Sequence, residues 1–107
     1  MPVVRIVAKY VEDGIVDDEN KFYLLASLND EKKIVSGEWL GYFITEGRKH
    51  PFIMDPKGTL WYDQTEEVVS EDTNLLYKTV AEGEFFSFNI NTEDECTYKI
   101  VSVFLLP

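Results

Sequence analysis

Phe52-Ile53-Met54-Asp55-Pro56-Lys57-Gly58-Thr59-Leu60-Trp61-Tyr62 carries the plainest conformational signal in this chain. Asp55-Pro56-Lys57-Gly58 has the residue order of a type I turn, with Asp first, Pro second and Gly fourth. Apolar, aromatic-rich runs flank it on both sides, so the segment predicts a β-hairpin. Alternation along the second run puts Leu60 and Tyr62 on one face and Trp61 on the other.

Outward from the hairpin, residues 39–63 hold both tryptophans and the single histidine. Immediately before it, Ser36 to Gly47 reads two ways. Ser36 is a helix cap, Trp39, Leu40, Phe43 and Ile44 fall at helical spacing, and Gly47 stands where a left-handed C-terminal glycine belongs. Gly37 and Gly41, however, each cost about 1 kcal/mol inside a helix, and Tyr42-Phe43-Ile44-Thr45 is good strand material. The balance tips toward a short helix or helical turn.

Toward the N-terminus, residues 3–11 alternate in period 2, with Val4, Ile6, Ala8 and Tyr10 on one face. Asp13-Gly14 suits a tight hairpin turn, with the loop running on as far as Asn20. Phe22, Leu24, Ala26 and Leu28 share the face of a second strand, a turn follows at Asn29–Lys32, and Ile34-Val35 begins another short strand. Toward the C-terminus, residues 63–74 form an acidic loop or short helix, and 75–81 is helix or strand. Phe86, Phe88 and Ile90 share a face, and Cys96 to Leu106 is a long β run, apolar on both faces near its end, as a central strand would be. The whole predicts a mainly β, antiparallel domain spanning 1–107: a small barrel or curled sheet with one or two short helices, or alternatively an α+β sandwich.

Composition narrows the functions. The chain has 107 residues, 45% hydrophobic, enough for one independent core. Its net charge of −10 argues against nucleic acid and anionic membranes as partners, because both call for a basic surface. No signal-like or membrane-spanning run appears, and the lone Cys96 forms no internal disulfide. A cytoplasmic protein with a reduced, half-buried strand cysteine is expected.

Three stretches free of Lys and Arg hold most of the acids: Glu12 to Glu19, Asp63 to Asp72, and Glu82 to Glu95. They are either solvated loops that keep a β-protein soluble, or loops converging on an acidic face that meets a basic protein. Neither Asp17-Asp18-Glu19-Asn20 nor Glu93-Asp94-Glu95 has the ligand spacing of a calcium loop. His50 lies near Asp55 in sequence, but Cys96 and the serines sit in no nucleophile motif, so no catalytic residue, cofactor or metal is expected. Glu38 and Glu46, the acids in the most aromatic surroundings, are weak acid–base candidates.

Binding is expected instead at Trp61, Tyr62 and Trp39, with the cations Arg48, Lys49, His50 and Lys57 beside them. The acidic loop adds Glu66, Glu67, Glu71 and Asp72. The leading expectation is a non-enzymatic protein recognising a basic partner, as an inhibitor or immunity-type factor does. The alternatives are a small-ligand barrel or minor enzyme using a pocket around Trp39, Trp61 and His50, and a self-assembling subunit. The last would dimerise through a sheet edge, consistent with the apolar Val101 to Leu106.

Overall fold

The computed structural model describes residues 2–62 and 70–106. These form eight strands in chain order: β1 (Val3–Glu12), β2 (Ile15–Ser27), β3 (Trp39–Thr45), β4 (Arg48–Met54), β5 (Thr59–Tyr62), β6 (Ser70–Asp72), β7 (Phe85–Phe88) and β8 (Cys96–Leu105). Each is antiparallel to its sequence neighbour, except that β6 and β7 meet only at a bridge, and β8 returns to pair with β1. The Thr73–Phe88 bridge and the Asn89 N–H bond to the Asp72 carbonyl (2.9 Å) join β6 to β7. The result is a nearly closed up-and-down barrel, the barrel form of the expected fold.

The Asp55–Gly58 hairpin forms as expected: Met54 pairs with Leu60, and the Gly58 N–H donates to the Asp55 carbonyl (3.0 Å). The helix expected over 36–47 does not form; β3 occupies that segment. Gly41 explains why. It faces Leu24 across the β2–β3 pair, and a methyl group there would collide with the Tyr23 carbonyl and the Phe52 ring. The glycine that weakens a helix is what lets β2, β3 and β4 approach. Gly47 does adopt positive φ (75°), but beside Glu46 (53°), so the pair makes a two-residue hairpin turn rather than a helix cap.

Other boundaries shift less. The loop drawn out to Asn20 is instead the irregular start of β2, where the pairing jumps from Lys9–Lys21 to Tyr10–Asp17. Ile34 makes only an isolated bridge to Leu28, and the one helical element among the described residues is a 3-10 turn at Leu75–Tyr77. Within 63–74, β6 supplies Ser70 to Asp72, and the remainder of the expected loop lies outside the described residues.

Alternation points Ile6, Ala8, Phe22, Leu24, Met54, Leu60, Phe88 and Ile100 inward, all fully buried. Phe22 is the hub: its ring lies 5.2–5.7 Å from those of Phe43, Phe52, Phe86 and Phe88. Such a layer fills a small barrel with side chains rather than leaving a channel. The two ends differ. At the base, the connections β2–β3 and β6–β7 fold across the opening, tied by the Val80 N–H bond to the Lys32 carbonyl (2.8 Å), and bury Ile34, Leu75 and Val80. At the mouth, the β1–β2 and β3–β4 links are tight turns. No helix among the described residues is long and apolar enough to cross a membrane.

Candidate functional site in the barrel mouth

Six consecutive strands send inward-facing side chains to the mouth: Phe43 and Thr45 from β3, His50 from β4, Tyr62 from β5, Glu71 from β6, Phe88 from β7, Cys96 and Tyr98 from β8. They line an open cavity of about 290 Å³, near the lower end of the roughly 300–1,000 Å³ typical of small-molecule sites. Its position follows from strand periodicity. The same alternation that buries Phe52 and Met54 places His50 inward two residues earlier, beyond the packed layer.

The floor is aromatic. Phe43 lies 5.4 Å from Phe88 and 5.7 Å from Tyr98, ring centre to ring centre, and Phe88 lies 5.5 Å from Tyr98. These are edge-to-face contacts that hold the rings against one another. Tyr10 extends the wall, 5.7 Å from Tyr98.

The polar group at the centre is Glu71. The Tyr62 hydroxyl donates to its Oε1 (2.8 Å), and the Asn89 amide donates to its Oε2 (2.9 Å). Asn89 in turn sits at positive φ (52°) and accepts from the Asp72 N–H (3.3 Å), which ties the network to the barrel seam. Burial, and then the Glu71 carboxylate, push the Tyr62 phenol well above its usual pKa, so it stays protonated and donating. Burial also raises Tyr98, whose hydroxyl has no hydrogen-bond partner among the described residues. Cys96, half-buried in β8, is pushed up to about 11, first by burial and then by Glu71. Its thiol is therefore protonated at neutral pH and a poor nucleophile.

Of the residues singled out from the sequence, His50, Tyr62 and Glu71 come together here. Trp39 and Trp61 do not join them, so the pocket expected around Trp39, Trp61 and His50 is not formed. Trp39 begins β3 at the base, where its indole N–H donates to the Val35 carbonyl (2.8 Å). Trp61 faces outward, as expected, and donates to Asp55 Oδ2 (2.9 Å). It joins Leu40 and Ile53 in an exposed apolar stripe on the outer wall. The cationic cluster is split: Arg48 and Lys49 are exposed at the mouth, while Lys57 sits in the base hairpin. Lys49 lies 5.3 Å from the outward Tyr42 ring. Asp72 accepts from the Thr59 hydroxyl (2.9 Å) on the outside. Glu66 and Glu67 lie outside the described residues.

Sequence reasoning missed Phe43, Thr45, Phe88, Asn89, Cys96 and Tyr98 as site residues. The usable signal was polar or hydroxyl-bearing residues at inward positions near strand ends, as in the alternation Cys96–Tyr98–Ile100. The acids also sort by end: Glu12, Asp13, Asp18 and Glu19 in the β1–β2 hairpin, and Glu93, Asp94 and Glu95 before β8, all lie at the mouth.

Among the described residues, fold and site define a nearly closed up-and-down β-barrel, packed with apolar residues at one end and carrying at the other an aromatic cavity with one carboxylate, Glu71. Comparison with models of known protein families, with curated proteins and with solved structures finds no match.

Proposed function

We propose that this chain is a non-catalytic barrel that binds a small molecule in its mouth cavity. The observation that supports it is the cavity itself: an aromatic floor, the oriented Tyr62–Glu71–Asn89 network and a Tyr98 hydroxyl with no hydrogen-bond partner among the described residues. An apolar pocket with a few fixed polar groups is the usual design of a ligand site. The non-catalytic part rests on Cys96, the only cysteine, whose protonated thiol suits a wall better than a nucleophile. That reduced thiol also fits a cytoplasmic setting.

The test is a protein-observed NMR screen of metabolites and fragments. Compounds that bind are expected to shift Tyr98, Cys96 and Asn89 together. Thr45→Trp, which fills the entrance, is expected to abolish those shifts while leaving the fold intact. Compounds that bind only elsewhere, or that ignore Thr45→Trp, would contradict the reading.

A second reading draws on the convergence of acidic turns at the mouth: recognition of a basic protein, as an inhibitor would achieve it. It requires association that weakens steeply with salt and is lost when Glu66, Glu67, Glu71 and Asp72 are reversed in charge.

A further inference from the structure

We infer that the ligand of the mouth cavity is a small organic cation, an ammonium on a compact apolar body, with Glu71 as its counter-ion and the rings of Phe43, Phe88 and Tyr98 as its wall. The inference rests on the small-ligand reading above.

The carboxylate carries the argument. Among the described residues, each Glu71 oxygen receives one neutral donor, Tyr62 or Asn89, which leaves each with a second acceptor site. No cation balances it: the one ion pair among the described residues is Lys9–Asp18 on the outside of the barrel (2.6 Å). A partly desolvated carboxylate with aromatic neighbours is costly unless a positive group meets it. Two neutral donors orient it without cancelling its charge.

The walls point the same way. Aromatic rings attract cations through their negative faces and offer nothing comparable to an anion. The rim carries Glu12, Asp13, Asp18, Glu19, Glu93, Asp94 and Glu95, and low-dielectric walls focus such a field into a cleft. The lysines and arginine at that level lie on the outside of the wall: Lys9 is paired with Asp18, Lys21 and Lys99 pair in register with Lys9 on the neighbouring strands, and Arg48 and Lys49 are exposed on β4. Only His50 lines the cavity itself. About 290 Å³ admits a compact ligand rather than an extended chain.

The experiment is calorimetry and NMR on the full chain with four probes of matched shape or charge. These are choline, its neutral carbon isostere 3,3-dimethylbutan-1-ol, the anion 3,3-dimethylbutanoate, and butylammonium. Choline is expected to bind at least tenfold tighter than the isostere, the anion not at all, with shifts at the Asn89 amide and the Tyr98 ring. Glu71→Gln is expected to erase the tenfold preference while leaving isostere binding unchanged, which also shows that the pocket survives the substitution.

Equal binding of choline and its isostere at the mouth would overturn the cation inference and leave the small-ligand reading standing. So would a preference that persists in Glu71→Gln. Silence from all four probes and from the wider screen would end both. A blocked lysine peptide binding tenfold tighter than butylammonium would keep the ammonium but move it onto a protein partner, overturning the small-ligand reading.

Discussion

The base and the mouth of this barrel are made from the same strands and end in opposite chemistry. At the base, two long connections fold inward, and Ile34, Leu75 and Val80 complete an apolar plug. At the mouth, the β1–β2 and β3–β4 connections are tight turns, and the inward positions carry Thr45, His50, Tyr62, Glu71, Cys96 and Tyr98. The difference teaches that long connections folded inward, as much as side-chain choice, mark the end of a small barrel that is packed for stability. Apolar burial at the base contributes to folding. The hydroxyls and the carboxylate at the mouth contribute less, and are retained for recognition under the reading proposed above.

The sharpest way to break this contrast is to truncate one side chain at each end. Leu75→Ala empties a fully buried position and is expected to cost about 2–5 kcal/mol in urea unfolding, a large share of the roughly 5–15 kcal/mol available to such a domain. Tyr98→Phe removes a hydroxyl with no protein partner among the described residues, and is expected to cost less than about 1 kcal/mol. Comparable losses from the two would erase the distinction.

An intermediate effect is expected in the base hairpin. The Trp61 indole first, then the Thr59 and Lys57 backbone N–H groups, hold the Asp55 carboxyl below the usual carboxylate range. With the folded value depressed, the stabilisation is full above the unfolded pKa and is lost as pH falls through the folded one. Asp55→Asn is expected to cost about 1 kcal/mol at neutral pH, discounted for its partial exposure. It should also flatten the fall of the urea midpoint below about pH 4. An unchanged acid limb would mean that the turn does not depend on the charge.

The smallest effect on stability, and the most specific to the mouth, concerns Cys96. With its pKa pushed up to about 11, its thiolate fraction at pH 8 is roughly 100-fold below that of a free thiol. Alkylation by iodoacetamide is expected to be correspondingly slow, to accelerate up to about pH 11, and to slow further when the cavity is occupied. Fast labelling at pH 8 would contradict an apolar, negatively charged mouth.

How much of this was legible beforehand depends on range. The Asp55–Gly58 turn, the inward faces of β1 and β2 and the outward Trp61 are local matters, and neighbouring residues suffice to read them. Ser36 to Gly47 is ambiguous locally because Gly47 serves a helix end or a hairpin equally well, and the close approach of Gly41 to Tyr23 and Phe52 that decides for a strand is a tertiary contact. The cavity was out of reach for a stronger reason. Phe43, Tyr62, Glu71 and Tyr98 are far apart in the chain, and no short window contains the carboxylate together with the aromatic floor.

By itself, then, the sequence determined the strand-rich architecture, since period-2 alternation and turn residues act over a few positions, and it determined the acidic charge. The tertiary structure alone decided which alternating face became the interior of a nearly closed barrel and which end was plugged. It also separated Trp39 and Trp61 from His50 while bringing Glu71 to Tyr62 and Asn89. Register and closure are collective properties of all eight strands, and no single segment encodes them.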